Sequence, residues 1–294
     1  MEELLAKTIL QKTKPDIDFW FYNDYNMNLY RGCSHGCIYC DSRSLCYGIE
    51  NFDKVIPKKD SIKILEEELI RKRKKGIIGM GSMSDPYNPL EKKLKNTRDA
   101  LKLILKYGYG TQIITKSNLI LRDLDLLKEI NVHESVLVNI TVTTADPVLQ
   151  KIIEPFSSTT EERFEALKIL NENGIKAGIT LMPILPYVND TVENLDALLE
   201  KAKAAKVHHI YPWFGLTMRD RQRDYLYQKL DEHFPGVRQK YEREFGQNYQ
   251  ANSRNSNTLY PHLQEKCKQY GILYNIRDIN KSFVKPPKQM QLEL

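Results

Sequence analysis

Residues 61 to 80 read Ser61-Ile62-Lys63-Ile64-Leu65-Glu66-Glu67-Glu68-Leu69-Ile70-Arg71-Lys72-Arg73-Lys74-Lys75-Gly76-Ile77-Ile78-Gly79-Met80, and the change of period inside this stretch decides the fold. Ile62, Leu65, Leu69 and Ile70 recur at the three-and-four spacing of one helix face, with Ser61 placed as the N-cap. The cations from Arg71 to Lys75 then close the helix, where they meet the negative end of its dipole; that reading is preferred to a phosphate-binding patch. Gly76 stops the helix and Ile77 to Met80 is a short apolar run, the pattern of a buried strand. The same alternation returns four times along the chain: helix 91–107 with strand 112–115, helix 121–130 with strand 136–142, helix 160–173 with strand 175–182, and helix 191–205 with strand 209–213. With 27–30 as the first strand, six parallel strands result. Right-handed crossovers curl such a series into an α/β fold, a partial (β/α)6 TIM-like barrel.

Working outward, residues 1–23 form a lead segment rich in aromatics and 24–217 form the barrel core. Residues 218–280, polar and aromatic, read as an appended C-terminal helical subdomain, and 281–294, with Pro286 and Pro287, as a loose tail. The 294 residues are 41% hydrophobic and 28% charged, which excludes a disordered chain, a collagen-like repeat and an integral membrane protein. No apolar run approaches the roughly 20 residues that span a bilayer. The first residues carry charge where a signal peptide needs an apolar stretch, so a cytoplasmic location is expected, with no membrane partner. The formal net charge of +6 is spread over many helices and permits nucleic acid without indicating it.

Five cysteines are too few for a disulfide scaffold in a chain this long, yet Cys33, Cys37 and Cys40 fall within eight positions, directly after the first expected strand. Three thiolates at spacings of four and three can wrap one face of an iron–sulfur cluster and leave one iron for a ligand that is not protein. A zinc site completed by His35 or Cys46 has the same spacing. Spacing alone leaves both open.

The Cys-x3-Cys-x2-Cys loop at the C-terminal end of strand one, with the aromatic Tyr39 before the last cysteine, resembles the radical S-adenosylmethionine (SAM) enzymes. Through Asn28-Leu29-Tyr30-Arg31-Gly32-Cys33, Gly81-Ser82-Met83-Ser84-Asp85-Pro86-Tyr87 and Thr115-Lys116-Ser117 it is similar to their spore photoproduct lyase-like branch. The resemblance implies a [4Fe-4S] cluster on Cys33, Cys37 and Cys40, and SAM chelating the remaining iron. It also implies reductive cleavage of SAM to a 5′-deoxyadenosyl radical that takes hydrogen from a substrate, with electrons from an external flavodoxin- or ferredoxin-type donor.

The same resemblance assigns cofactor contacts. Gly81, Ser82, Ser84 and Asp85 are expected at the methionine ammonium, and Lys116 at its carboxylate. Thr141 or Thr143 is expected at the carboxylate or ribose, Glu154 and Arg163 near the ligand, and Ile184 against adenine. Each has an ordinary structural reading as well: a turn, a solvated lysine, strand threonines, a helix start and a helix cap. Cys46 is uncommitted, and Cys267, beside Leu263 and Tyr270, reads as a buried structural thiol. The substrate is open. A nucleic-acid substrate is permitted, but 76–90 contain no cysteine where the lyases carry their hydrogen donor. The alternative function is a zinc-stabilised nucleic-acid-binding protein without catalysis.

Overall fold

The computed structural model describes residues 2–285. Strand β1 (Leu10–Lys12) pairs antiparallel with β2 (Tyr25–Met27), and β3 (Tyr30–Arg31) pairs with β4 (Ile56–Pro57) around the loop that carries the clustered cysteines. Helices and strands then alternate: α1 (Ser61–Arg71), β5 (Ile77–Met80), α2 (Glu91–Leu94), α3 (Asn96–Tyr107), β6 (Gly110–Thr115), α4 (Leu124–His133), β7 (Val136–Thr141), α5 (Pro147–Ile153), α6 (Thr160–Glu172), β8 (Lys176–Leu181), α7 (Val192–Ala204) and β9 (Ile210–Pro212). The sheet runs in the order β1-β2-β5-β6-β7-β8-β9 and is parallel except for β1. Six parallel strands with helical crossovers make the partial (β/α)6 barrel.

Several boundaries differ from the sequence pattern for local reasons. The first barrel strand lies at Tyr25–Met27 rather than 27–30, because Tyr30 is taken by Pro57 in the small β3–β4 pair. Helix α1 is preceded by Asp60 as its N-cap and ends at Arg71, so most of the basic run lies beyond it. The expected helix 91–107 breaks at Lys95, which adopts a left-handed φ of 58°. A 3-10 turn over Asn118–Asp123 precedes α4. The unexpected α5 starts where the Asp146 side chain accepts from the backbone N–H groups of Val148 and Leu149, with Pro147 at the first helical position.

Beyond the barrel lie β10 (Gly215–Thr217), α8 (Asp220–His233), α9 (Val237–Phe245), β11 (Gln250–Asn252), α10 (Ser256–Tyr270) and α11 (Ile276–Phe283). Within this region β11 pairs with β10, and the region is stitched to the barrel where the Ile210 N–H donates to the Leu273 carbonyl at 2.8 Å. Residues 281–283 belong to α11 rather than to a tail, and 286–294 lie outside the described residues. Ile276, Ile279 and Phe283 pack with Phe21, Ile77 and Leu137 as a small core of their own, apart from the larger one under helices α1 to α4, α6, α7 and α10. Each such buried side chain contributes about 1.5–3 kcal/mol.

The lead segment is structural too. Trp20 and Phe21 reach the opposite edge strand, where their rings meet Tyr211 at 5.7 and 5.3 Å. Buried Asn280 holds the segment there: it accepts from the Tyr22 N–H at 3.0 Å and donates to the carbonyls of Ile17 and Trp20 at 2.8 and 2.7 Å. Among the described residues, no helix is long and apolar enough to cross a membrane.

Candidate functional site

The cysteine loop is pinned from two sides. The Cys33 N–H donates to the Phe52 carbonyl at 2.8 Å, the Ile38 N–H to Ile153 at 3.0 Å, and the Phe156 N–H to the His35 carbonyl at 3.1 Å. Gly36 has φ +72°, and a Cβ there would stand 2.9 Å from both the Phe156 ring and the Pro155 side chain. Only glycine lets the loop turn this close to its neighbour. Below the loop, Gln222 of α8 donates to the Tyr39 carbonyl at 3.0 Å.

Cys33, Cys37 and Cys40 line one cavity of about 360 Å³, together with Gly81, Ser82, Ser84 and Asp85 from the loop after β5. Tyr39, Lys116 and Thr141 complete that wall among the residues singled out in the sequence. They share it because all follow the C-terminal ends of parallel strands, the end at which β/α barrels place their sites. Lys116 carries its ammonium 5.6 Å from the Tyr39 ring centroid. Burial opposes its charge, but Cys37, Glu154 and Cys40 outweigh that and hold the ammonium above its ordinary pKa. Burial pushes all three thiols up, Cys33 to about 12, so forming thiolates there calls for a bound cation.

Among the described residues, no three His, Cys, Asp or Glu side chains close on a point where a single metal ion would sit. The three thiols face one roomy cavity, a donor set that fits a cluster taking each thiolate on a different iron.

Four expected cofactor contacts are placed elsewhere. Glu154 and Arg163 are both fully buried and pair with each other at 2.5 Å behind the cavity wall. Burial works against the Glu154 charge, and Arg163 and Lys116 overcome it to hold the carboxyl below its usual range. Arg163 also donates to the Thr141 and Ser158 carbonyls at 2.8 and 2.7 Å, and the Tyr39 hydroxyl donates to Glu154. The pair therefore fixes the end of β7 against the cysteine loop. Thr143 points the same way, toward Glu154 at 3.3 Å. Ile184 packs into the main core at 2% exposure, and Met182 and Pro183 line the cavity in its place.

Asp85 touches the cavity, yet its oxygens are already engaged. They accept from Tyr87 N–H and Thr115 hydroxyl at 2.8 and 2.7 Å and from Lys116 N–H at 2.8 Å, and stand 3.3 Å from His35. Burial raises its pKa, but His35, the Thr115 hydroxyl and the Lys116 N–H together hold it at about 2. It acts as the knot joining the β5 loop, the end of β6 and the cysteine loop, rather than as a free charge for an ammonium. Residues missed from the sequence include Thr180, whose hydroxyl lies 2.7 Å from that of Thr141, and the two tryptophans Trp20 and Trp213. Period-two alternation along β8 would have found Thr180. Trp20 arrives from the lead segment, which no local pattern announces.

Cys46 is exposed, with the Arg219 guanidinium 2.9 Å from its sulfur, and does not line the cavity; Cys267 is fully buried in the main core.

The family model of the Radical SAM superfamily matches residues 27–211. An uncharacterised protein of Methanocaldococcus jannaschii is 35% identical over 212 residues, 71% of this chain and 78% of its own. An uncharacterised protein of Mycobacterium tuberculosis is 29% identical over 231 residues, 76% of this chain and 67% of its own. Among solved structures, spore photoproduct lyase complexed with dinucleoside spore photoproduct shares the fold with a TM-score of 0.65, at 14% identity over 92% of this chain and 80% of that one. A variant of that lyase with bound AdoMet gives 0.63. With a family match that runs from the cysteine loop through the strands β5 to β8, the chain belongs to the radical SAM superfamily and is an enzyme of that class.

Proposed function

We propose that Cys33, Cys37 and Cys40 hold a [4Fe-4S] cluster beside a SAM site in the 360 Å³ cavity. When bound and reduced by an external flavodoxin- or ferredoxin-type donor, the cluster supplies the electron that splits SAM into methionine and a 5′-deoxyadenosyl radical, which takes hydrogen from the substrate. The protein's part is to bind and orient. Gly81, Ser82 and Ser84 present backbone and hydroxyl groups to the methionine ammonium. Lys116 faces its carboxylate with a charge-assisted hydrogen bond, and Thr141, with Thr180 beside it, stands at the ribose. Tyr39 closes the wall under Lys116, and the apolar side chains of Met182, Trp213 and Leu216 exclude water from the adenine end.

The observation that carries this reading is the cavity onto which three thiols and the half-buried Lys116 cation converge at the strand ends. A zinc-stabilised nucleic-acid-binding protein would leave that cavity without a purpose. Anaerobic reconstitution with iron and sulfide tests it: four irons per chain, a brown colour and SAM binding are expected, and stoichiometric zinc with no SAM binding would overturn it. A cytoplasmic location and a nucleic-acid-related substrate, in keeping with the lyase likeness, belong to the same reading.

A further inference from the structure

A second chamber of about 260 Å³ adjoins the first, with Trp20, Ser82 and Ile114 lining both. Its inner wall follows from strand register. Asn26 of β2, Gly79 of β5 and Gln112 of β6 stand side by side in the sheet. Gly79 brings no side chain, and a Cβ there would lie 2.4 Å from the Asn23 amide nitrogen. The space it leaves is taken by amides: Asn23 donates to Asn26 at 3.2 Å, and Gln112 faces the chamber from the other side. Gln112 is 1% exposed, and its side-chain nitrogen finds no hydrogen-bond partner. A buried amide left unmet in this way is unfavourable unless a ligand meets it.

The chemistry of the wall selects the ligand. The charged residues at the chamber, Lys14 and Asp16, are exposed at its rim, while its interior carries the neutral amides Asn23, Asn26 and Gln112 with Trp20, Phe21, Met80 and Ile114 as apolar walls. Neutral amides pair best with a group that also carries a donor beside an acceptor, and Trp20 offers an aromatic wall to a flat ring. The volume lies just under the roughly 300–1,000 Å³ of sites for drug-sized ligands. It suits one ring with a sugar and is too small for a length of polymer.

We propose that this chamber is the substrate pocket, and that it takes a free, neutral, planar ring with a lactam edge, such as a single nucleobase or nucleoside, held by Gln112 against Trp20. The proposal rests on the reading that the larger cavity holds SAM, because the shared wall at Ser82 and Ile114 would then set the ring beside the site where the radical forms.

The test uses the full, cluster-loaded chain carrying Trp213→Phe, which leaves Trp20 as its one tryptophan, and the probes uridine and 3-methyluridine. Uridine is expected to quench Trp20 saturably, with the same affinity when SAM is saturating. Methylation of the lactam nitrogen, or Gln112→Leu, is expected to weaken it at least tenfold. No quenching, equal affinity for the two nucleosides, an unchanged Gln112→Leu variant, or displacement by SAM would overturn the proposal, as would a uridine oligomer binding as tightly as the nucleoside. The nucleoside comparison needs no change at Gln112 and decides the matter if Gln112→Leu fails to fold. Release of 5′-deoxyadenosine, measured in parallel on the cluster-loaded chain with Trp213 intact, reports separately on the SAM reading: release without uridine binding defeats this inference alone, and uridine binding without release defeats the radical reading.

Discussion

The Lys116 ammonium lies 5.6 Å from the centroid of the Tyr39 ring, and the Tyr39 hydroxyl donates to Glu154 on the far side. This stack links the end of β6, the cysteine loop and the β7 loop through three side chains, and leaves the cation facing the cavity. Lys116→Ala should therefore weaken SAM binding by about 1.5–3 kcal/mol, roughly tenfold to a hundredfold, without loss of iron. Calorimetry against iron content checks this, and an unchanged dissociation constant would show that Lys116 does not meet the ligand.

The stack also shows what the sequence could and could not convey. Lys116 was visible because an apolar strand, 112–115, ends immediately before it, so its place at the barrel mouth follows from period alone. The six parallel strands were legible for the same reason. Glu154 and Arg163 were visible only as an acid and a base near a helix start, and nothing in one dimension distinguishes a ligand contact from a buried pair. Ile184 failed similarly: one position along an extended segment separates cavity wall from core. Trp20 and α11 depend on Asn280, 260 residues away in sequence from the carbonyl it holds, and no pattern of neighbours encodes such a contact.

The Glu154–Arg163 pair is expected to be a stability element. Removing one partner strands a buried charge, so Arg163→Met should cost about 3–5 kcal/mol. Denaturant unfolding of the apoprotein measures it without any cofactor. A loss below about 1 kcal/mol would mean that the pair is not desolvated as the structure has it.

Gly81 has φ +99°, and a Cβ there would stand 2.0 Å from the Ile114 carbonyl oxygen. Gly81→Ala must push the β5 loop away from β6, at a cost of at least 1–3 kcal/mol for the backbone strain alone. SAM binding should fall steeply while the cysteine loop, on a different segment, keeps its iron. Parallel iron assay and SAM titration check this, and equal loss of both would merge the two sites into one structural unit.

Cys33→Ala, Cys37→Ala and Cys40→Ala should each abolish the cluster, because each removes the sole protein ligand of one iron. Cys46→Ala and Cys267→Ala should leave it intact, since Cys46 does not line the cavity and Cys267 is fully buried in the main core. Iron and acid-labile sulfide content of the five variants checks this, and full loading of Cys37→Ala would remove the assignment.

The most direct measurement is chromatography of the reconstituted, dithionite-reduced protein after incubation with SAM and no substrate. Slow release of 5′-deoxyadenosine and methionine in equal amounts is predicted, and none from Cys40→Ala. Zinc has no redox chemistry with which to deliver that electron. A wild-type sample that carries its cluster, binds SAM and releases no 5′-deoxyadenosine, or a Cys40→Ala sample that releases as much as wild type, would contradict the account.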